Sequence, residues 1–270
     1  MPEPTRYYDR LTGRVAIVTG AGSQGEGVGT GKAISVALAR EGAQVCLVDL
    51  HRERAEETRA MIEAAGGAAF VFAGDVTDTR VCASIVAATL ERYGRLDVLV
   101  NNVGVSAGGG EVSDLDEDKW SKVVDANLKS AVLMIKHAMP ALVASQRGAI
   151  VNISSTAALL ASGGAWAYGP AKAALIAFTR EIAVKYGRQG VRANAICPGH
   201  IVTPHVAGFF DAAAFELRRK VAPLGVTGDA WDVAAAAVFF ASDESRFVTA
   251  QCLAVDGGVT QTMQLTAHAL

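Results

Sequence analysis

Short runs of branched apolar residues alternate with longer alanine-rich stretches along almost the whole chain. The runs predict strands, and the stretches between them have the spacing of helices. Seven strands are predicted, at residues 15–19, 45–49, 69–73, 96–100, 149–153, 191–196 and 252–255. The runs are apolar throughout, which is typical of parallel strands covered by helices on both faces. The sequence therefore predicts an α/β fold, a doubly wound parallel sheet of about seven strands flanked by helices.

The stretches between the strands predict helices and leave one segment that fits neither pattern. The helices are predicted at residues 31–41, 52–65, 79–93, 116–142, 167–186 and 229–241. No linker or internal repeat divides the chain, and its 270 residues, 51% of them hydrophobic, suffice for one buried core. We therefore expect a single domain over residues 1–270. Residues 202–228 stand outside the alternation, and such excursions beyond the carboxyl ends of strands often carry ligand contacts.

Charge and cysteine usage narrow the classes of partner. The formal net charge is −2 and the charged residues are scattered, so neither a nucleic acid nor a membrane surface is expected as a partner. The four cysteines show no CxxC spacing, which favours buried thiols in a reducing cytoplasm over a disulfide framework or a metal site. Residues 1–14 lack the apolar stretch of a secretory signal, and no segment is long enough to span a bilayer. We expect a cytoplasmic protein.

A glycine-rich segment follows the first predicted strand and opens the first predicted helix. It reads Thr-Gly-Ala-Gly-Ser at residues 19–23 and Gly-Thr-Gly at residues 29–31. Glycines here let a pyrophosphate approach the backbone N–H groups and the partial positive charge at a helix N-terminus. The alternative is a flexible glycine turn without a ligand, which the position directly after the first strand makes less favoured. The segment predicts a Rossmann-type dinucleotide site, with candidate cofactor residues Gly20, Ser23, Gly29, Thr30 and Gly31.

An acidic residue, Asp49, ends the second predicted strand, with Leu50 next to it. A carboxylate in this position accepts hydrogen bonds from both ribose hydroxyls of NAD and repels the 2′-phosphate of NADP. A solvated acid at a strand end is the alternative interpretation. NADP remains an alternative cofactor because of Arg52, since a guanidinium nearby would offset the repulsion between the carboxylate and the 2′-phosphate. We favour NAD as the cofactor and include Asp49 and Leu50 in its site.

A phenol and an ammonium group, those of Tyr168 and Lys172, lie four residues apart in a predicted helix and so share one face. A lysine near a tyrosine favours the phenolate, lowers the tyrosine pKa and suits it to exchange a proton with an alcohol. Taken alone, such a pair is more often an ordinary pair on a helix surface. Ser155 favours an active site over a surface pair, because it follows the fifth predicted strand and precedes Tyr168 by thirteen residues. The three residues predict an active site for alcohol or ketone chemistry.

Further motifs give a resemblance to the short-chain dehydrogenase/reductase family over about residues 14–260. The chain resembles the ordinary oxidoreductase branch rather than the enoyl reductase or epimerase branches, because the Tyr-Lys spacing is four and the chain is compact. The closing signature Val-Asp-Gly-Gly stands at residues 255–258. The other matching positions are Asn102 and Gly104 after the fourth strand, Asn127 at the family's catalytic asparagine, Asp75 and Val76 at its adenine contact, and Pro198, Gly199, Ile201 and Thr203 at its nicotinamide segment.

The resemblance implies a role for each catalytic residue. Tyr168 would be the general acid/base, and Ser155 would hydrogen-bond the substrate oxygen. Lys172 would bind the nicotinamide ribose and lower the tyrosine pKa, while Asn127 would hold a water that links Lys172 to solvent. It also implies hydride transfer between NAD(H) and a secondary alcohol or ketone, and a homotetramer with paired helix interfaces. Two alternatives remain open: an NADP-dependent ketone or 3-oxoacyl reductase, and a non-catalytic NAD-binding scaffold or sensor.

The sequence departs from the family pattern in one place. Residues 24–28 stand as an insertion of five residues within the glycine-rich segment, so the matching of its glycines is ambiguous. Glu26 in this insertion would weaken pyrophosphate binding unless its carboxylate faces solvent. A choice also arises between Ser154 and Ser155, and the spacing to Tyr168 selects Ser155.

The substrate pocket is expected to form from residues 106–110, 157–166, 199–200 and 202–228. These segments are mostly apolar or small and include Phe209, Phe210 and Phe215, without an evident cluster of basic side chains. An uncharged, moderately hydrophobic alcohol is therefore the expected substrate. Trp166, His200 and His205 fit packing or solvated loop positions at least as well as substrate contacts.

Overall fold

The computed structural model describes residues 9–107, 109–161, 166–208 and 210–262. Seven parallel strands form the central sheet, in the order β3-β2-β1-β4-β5-β6-β9. The strands are β1 (Val15–Thr19), β2 (Gln44–Asp49), β3 (Ala68–Ala73), β4 (Val98–Asn101), β5 (Gly148–Ile153), β6 (Val191–Pro198) and β9 (Cys252–Val255). The two remaining strands, β7 (Ile201–Val202) and β8 (Gly228–Asp229), pair with each other. The predicted α/β fold with a seven-stranded parallel sheet is confirmed.

Helices cover both faces of this sheet. They are α1 (Thr30–Arg40), α2 (Arg52–Ala64), α3 (Thr79–Tyr93), α4 (Glu117–Val124), α5 (Ser130–Ala144), α6 (Tyr168–Tyr186), α7 (Pro204–Ala207), α8 (Ala212–Val221) and α9 (Ala230–Ala241). Each face of the sheet has its own apolar core: one cluster includes Val18 and Val45, and the other includes Ile17 and Cys46. Neighbouring residues of one strand thus lie in different cores, as the uninterrupted apolar runs require.

The prediction of a single helix over residues 116–142 is wrong in one respect. Residues 125–129 form a π-helical turn between α4 and α5, and Asn127 lies within it. The Asn127 amide donates to the carbonyl oxygens of Val123, at 2.8 Å, and Val105, at 2.7 Å. A side chain that takes a backbone carbonyl as its acceptor competes with the regular helical bond, which accounts for the wider turn.

The excursion at residues 202–228 contains regular structure of its own. Its two helices are α7, which has Pro204 at its first position, and α8, which Asp211 caps by accepting from the N–H of Ala214. A parallel bridge between β7 and β8 ties the two ends of the excursion together. This segment is therefore a structured element beside the carboxyl end of β6.

A buried carboxylate, Asp97, lies just before β4 and joins three segments. It accepts from the N–H of Val15 at 2.9 Å, from the guanidinium of Arg95 at 2.6 and 2.8 Å, and from that of Arg147 at 3.1 Å. Asp97 is fully buried. Burial acts to raise its pKa, but the hydrogen bonds from Arg95, Val15 and Arg147 outweigh this effect and the pKa falls below its ordinary value. Asp97 thus fixes the end of the sheet opposite the glycine-rich segment.

Three further expectations concern the cysteines, membrane-spanning helices and metal ions. All four cysteines are free thiols; Cys46, Cys82 and Cys197 are buried as expected, whereas Cys252 is partly exposed. Over the described residues, the helices are too short or too polar to span a lipid bilayer. In the same residues, the histidines, cysteines and carboxylates form no cluster suited to a metal ion.

Candidate active site

The candidate site lies where the strand order reverses, at the carboxyl ends of the parallel strands. Strand β1 has β2 on one side and β4 on the other, and the chain crosses between the two halves of the sheet at this point. Ligands of open α/β sheets bind in the crevice outside such a switch point. Two cavities open there, of about 710 and 320 Å³. We call the first the reaction cavity and the second the adenosine cavity.

The reaction cavity brings together three of the four predicted catalytic residues. Ser155, Tyr168 and Lys172 all lie on its wall. Ser155 follows β5 and its Oγ accepts from the N–H of Ala157 at 3.1 Å, which caps a short turn and fixes the hydroxyl. Tyr168 begins α6, and Lys172 follows one turn later on the same face. Ser154 also lies on this wall, but it is buried and its hydroxyl donates to the carbonyl oxygen of Lys172, so its proton is already engaged.

Lys172 is almost fully buried, and its ammonium group donates to backbone carbonyl oxygens. Nζ lies 2.9 Å from the oxygen of Ile153 and 3.4 Å from that of Val103. Burial lowers the pKa of Lys172 to about 8. The two carbonyls stabilise the charged form and hold the amine at the junction of β5 with the loop after β4.

The expectation that Lys172 lowers the Tyr168 pKa is not met in this structure. Burial raises the pKa of Tyr168 above its ordinary value of 10, and the Ser155 hydroxyl acts in the opposite direction without cancelling the effect. The Lys172 Nζ atom is 5.8 Å from the centroid of the phenol ring and its hydrogen bonds go to carbonyl groups. In the protein alone, burial thus favours the protonated form of the Tyr168 phenol.

A buried chain of polar side chains anchors α6 to the sheet. Asn101 donates to Asn152 at 2.8 Å, and Asn152 in turn donates to Thr179 at 2.8 Å. Thr179 lies two turns after Lys172 on α6, and its hydroxyl donates to the carbonyl oxygen of Leu175. These contacts set the rotation of α6, and so they orient Tyr168 and Lys172 towards the cavity.

The fourth predicted catalytic residue, Asn127, lies behind the cavity wall next to Lys172. A methyl group added to Gly104 would lie 3.0 Å from the Asn127 Oδ1 atom and 3.1 Å from the Lys172 Nζ atom. Asn127 is buried, and its Oδ1 atom has no hydrogen-bond partner among the described residues. An unpaired buried acceptor beside an ammonium group is suited to bind a water molecule, which is the role that the resemblance implies.

The glycine-rich segment forms a cradle against the start of α1. A side chain on Gly31 would collide with the carbonyl oxygen of Gly20, and Gly20 itself adopts a φ of +64°. The amide of Asn102 donates to that same Gly20 oxygen at 2.9 Å. Helix α1 begins at Thr30 without a side-chain cap, so its first N–H groups are available to an anion. The buried Ser23 hydroxyl has no partner in the described structure, which also fits a phosphate ligand.

The insertion at residues 24–28 extends away from this cradle. Residues 24–27 are exposed, so the Glu26 carboxylate lies in solvent and the expected conflict with a pyrophosphate does not arise. Gln24 Oε1 lies 2.7 Å from Nδ1 of His205 on α7. A methyl group on Gly27 would lie 3.1 Å from Pro204. The insertion thus contacts the excursion, and Gly29, Thr30 and Gly31 resume the cradle after it.

The adenosine cavity is lined by the remaining predicted residues of the first half of the chain. Its described wall includes Gly20, Asp49, Leu50, Asp75 and Val76. The two Asp49 oxygens each accept one backbone N–H, from Gly22 at 2.9 Å and from His51 at 3.0 Å. A carboxylate so held has a fixed orientation and retains lone pairs on both oxygens for ribose hydroxyls.

The predicted nicotinamide segment lies on the reaction cavity. Pro198, Gly199, Ile201 and Thr203 all line it, as do Thr30, Asn102 and Gly104. The Thr203 hydroxyl accepts from the N–H of Val206 and caps α7. The residues present therefore fit a dinucleotide. A glycine cradle and an unpaired serine hydroxyl lie at one end, the carboxylate of Asp49 lies at the adenosine cavity, and this segment lies beside the predicted catalytic residues.

The substrate side of the cavity differs from the expectation. Ser106, Phe210, His200 and His205 lie on its wall as the predicted segments require, whereas Trp166 does not and its indole donates to the carbonyl oxygen of Gly110. Phe209 lies outside the described residues, and Phe215 packs edge-on against Phe210 rather than on the wall. Arg218 of α8 is also on the wall, so a basic side chain faces the substrate region for which the sequence predicted no cluster of basic residues.

Sequence reasoning missed two other residues that shape the site. The Thr19 hydroxyl accepts from the N–H of Asn102 at 3.2 Å, and the Thr156 hydroxyl donates to the carbonyl oxygen of Pro198 at 3.3 Å. Both follow or end strands whose carboxyl ends form the site, and that position is the signal that would have identified them. For Arg218 the sequence offered only a run of three basic residues, Arg218 to Lys220.

Comparison with known proteins agrees with this geometry. A family model described as enoyl-(acyl carrier protein) reductase matches residues 25–260. The 2-(S)-hydroxypropyl-CoM dehydrogenase 3 of Xanthobacter autotrophicus is 36% identical, over 93% of this chain and 98% of its own. The cis-4-hydroxycyclohexanecarboxylate dehydrogenase of Sinomonas cyclohexanicum is 38% identical, over 92% of this chain and 96% of its own. A solved structure of a short-chain type dehydrogenase/reductase from Mycobacterium ulcerans superposes with a TM-score of 0.88 at 32% identity, covering 93% of this chain and 91% of that one.

The chain belongs to the short-chain dehydrogenase/reductase family. It is an oxidoreductase of alcohols or ketones that uses a nicotinamide cofactor and acts on a small-molecule substrate. The similar proteins are named for hydroxy substrates, in agreement with the ordinary oxidoreductase branch that the Tyr-Lys spacing indicates.

Proposed function

We propose that this protein interconverts a secondary alcohol and its ketone with NAD(H) as cofactor. The observation that carries the proposal is the placement of Ser155, Tyr168 and Lys172 on one wall of the reaction cavity, beside the segment that includes Pro198 and Thr203. A bound nicotinamide supplies or accepts the hydride at its C4 atom. The protein residues then have to orient the substrate and move one proton.

In ketone reduction, Tyr168 donates its phenolic proton to the substrate oxygen while Ser155 hydrogen-bonds that oxygen. Because its pKa lies above the ordinary value, Tyr168 carries at neutral pH the proton that this step requires. In alcohol oxidation, Tyr168 acts as the phenolate and accepts the hydroxyl proton, and Lys172 would bind the nicotinamide ribose. Asn127 would hold the water through which Lys172 exchanges protons with solvent.

NAD rather than NADP is supported by Asp49 at the adenosine cavity. Both of its oxygens are held by backbone N–H groups, and a 2′-phosphate would add negative charge beside them. Arg52, which left NADP open, has its guanidinium 3.4 Å from the carboxylate of Glu56. Arg52 thus has a carboxylate partner one turn along α2.

The experiment that tests the reaction is the absorbance of NADH, followed on a panel of secondary alcohols and ketones. Wild-type protein is expected to turn over members of this panel, and Tyr168→Phe is expected to lose about 10²- to 10⁴-fold in kcat while it still binds NADH. Tyr186→Phe removes the same hydroxyl at the other end of α6, away from the cavity wall, and serves as the matched control. NADH binding without turnover of any substrate would favour the alternative, a non-catalytic scaffold.

We also propose a homotetramer in the cytoplasm. Large apolar side chains stand exposed on α6 and near β9, where Val184 is 80% exposed, Phe247 95% and Leu253 40%. Exposed groups of this kind mark interfaces between subunits. The four free thiols suit a reducing compartment. Light scattering at micromolar concentration tests the assembly, and a monomeric mass would contradict it.

A further inference from the structure

Arg218 is one of two lysine or arginine residues on the described wall of the reaction cavity, and the other, Lys172, belongs to the catalytic set. Arg218 comes from α8 in the excursion, whereas Ser155 and Tyr168 come from β5 and α6. A substrate in this cavity therefore meets the catalytic residues on one side and a guanidinium from a separate element on another.

The Arg218 side chain is held in place. Its guanidinium carbon lies 4.3 Å from the centroid of the Phe210 ring, a stacked arrangement that orients the planar group. The backbone oxygen of Arg218 lies 3.1 Å from Nδ1 of His200, which ties α8 to the turn before β7. Partial burial lowers the pKa of Arg218, although the group remains charged at neutral pH.

No carboxylate pairs with Arg218 among the described residues, whereas its two neighbours on α8 are paired. Arg219 contacts Glu216 at 2.7 and 2.8 Å, and Lys220 lies 3.8 Å from the same carboxylate. An unpaired guanidinium on a partly desolvated wall is costly unless a ligand supplies the counter-ion. His200 adds no charge, because burial lowers its pKa and it is neutral at pH 7.

We propose that Arg218 binds an oxyanion carried by the substrate, so that the substrate is a hydroxy or keto compound with a carboxylate, sulfonate or phosphate group. The planar fork of an arginine matches two oxygens of such a group. The proposal rests on the proposed function, and it replaces the uncharged substrate expected from the sequence.

Pairs of compounds that differ in charge test this proposal. The reduction of 4-oxopentanoate and 5-oxohexanoate by NADH is compared with that of their methyl esters, and 3-oxobutane-1-sulfonate and 3-oxobutyl phosphate extend the set to the other anions. Wild-type protein is expected to favour at least one anion over the neutral esters by tenfold or more in kcat/KM. In Arg218→Met this advantage should fall by about 10- to 100-fold, mainly through KM, because a contact remote from the reacting carbon binds ground and transition states alike.

Lys220→Met is the matched control, since it removes one positive charge from the same helix at an exposed position. It should leave the preference for anions unchanged. Wild-type protein that favours the esters, or an Arg218→Met variant that keeps the preference for anions, would overturn the proposal. A fall in NADH affinity of more than tenfold in Arg218→Met would do the same, because it would assign the arginine to the cofactor.

A second measurement separates this proposal from the proposed reaction. Thermal unfolding of the Tyr168→Phe variant with NADH is followed with and without each anion, since this variant forms complexes without turnover. The proposal predicts that an anion raises the unfolding temperature of Tyr168→Phe whereas its ester does not. This increase should be absent in Tyr168→Phe/Arg218→Met. Such a result supports the oxyanion site even if wild-type protein reduces none of the compounds. Equal effects of anions and esters on the unfolding temperature count against it.

Discussion

The ammonium group of Lys172 lies 2.9 Å from the carbonyl oxygen of Ile153, the last residue of β5. A second carbonyl, that of Val103 after β4, lies 3.4 Å from the same nitrogen. A catalytic side chain on a helix is thus bonded to the ends of two neighbouring strands. Its position depends on how α6 packs against the sheet, and its charge is held in a nearly closed environment.

The burial of the Lys172 charge predicts that this residue lowers the stability of the protein while it supports activity. With the Lys172 pKa near 8 and an ordinary value of 10.5, the unfolded chain binds the proton more tightly between these pH values. The free energy of unfolding should therefore rise as pH increases from 8 to 10.5. Lys172→Met should be more stable than wild type at pH 7 by about 1–2 kcal/mol, a burial cost of roughly 3 kcal/mol less the lost hydrogen bonds.

The same variant should lose at least about 10²-fold in kcat, because no ammonium group would then hold the nicotinamide ribose beside Tyr168. Lys185→Met, at an exposed position of α6, is the control for both measurements. Urea unfolding at pH 7 and pH 10 checks the stability, and a variant less stable than wild type at pH 7 would contradict the argument.

The carboxylate of Asp49 predicts the cofactor preference. Wild-type protein should use NAD with a much higher kcat/KM than NADP, and Asp49→Ala should narrow the ratio by about 10- to 100-fold, the scale of a charge-assisted hydrogen bond of about 1.5–3 kcal/mol. Steady-state kinetics with both cofactors measures this ratio. Glu26→Ala removes an exposed carboxylate of the insertion and should leave the ratio as it is. A wild-type preference for NADP would show that Arg52 or another group near α2 binds the phosphate.

The contact between Gly31 and the carbonyl oxygen of Gly20 predicts a strict requirement for glycine at position 31. An added methyl group would collide with that oxygen and with the Asn102 amide, so the cradle would have to open. Gly31→Ala should weaken NADH binding at least tenfold and lower the unfolding temperature. Gly187→Ala is the control, because a methyl group there meets nothing within 4 Å. Its stability should be unchanged or raised by about 0.4–1 kcal/mol. Fluorescence titration measures the affinity of both variants for NADH. A Gly31→Ala variant that binds NADH as tightly as wild type would contradict the prediction.

Asp97 predicts a pH-dependent contribution to stability. Its folded-state pKa lies below the ordinary value of 3.8, so the stabilisation is complete above that pH and is lost as pH falls through the folded value. Asp97→Ala should lower the free energy of unfolding by about 3–5 kcal/mol at pH 7, because it leaves the Val15 N–H and two arginines without their acceptor. The difference from wild type should shrink below pH 4. Glu244→Ala, whose pair with Arg10 is exposed, should cost less than about 1 kcal/mol. Chemical denaturation of wild type and both variants at pH 7 and pH 3.5 measures these free energies of unfolding.

The sequence by itself determined the sheet and the placement of Tyr168 and Lys172 on one face of a helix. Strands β1 and β9 match their predictions, and the other five strands of the sheet agree within two residues, because a parallel strand covered by helices is an apolar run. Tyr168 and Lys172 were predicted because the helical period alone places residues four apart on one face. Gly20 and Gly31 were predicted because a pyrophosphate must approach the backbone closely, and the structure adds that position 31 also lies against the carbonyl oxygen of Gly20.

Only the tertiary structure decided the features that depend on contacts between distant segments. The π-helical turn at Asn127 forms because its amide reaches Val105, 22 residues away in the chain, and the insertion turns outward because it meets α7. Burial raises the Tyr168 pKa against the expected effect of a neighbouring charge, since Lys172 donates to carbonyl groups of the sheet. Arg218 faces the cavity while Arg219 and Lys220 share Glu216 on the same helix. Periodicity orders residues within one helix, but the packing of that helix against the rest of the chain selects the side chain that reaches the site.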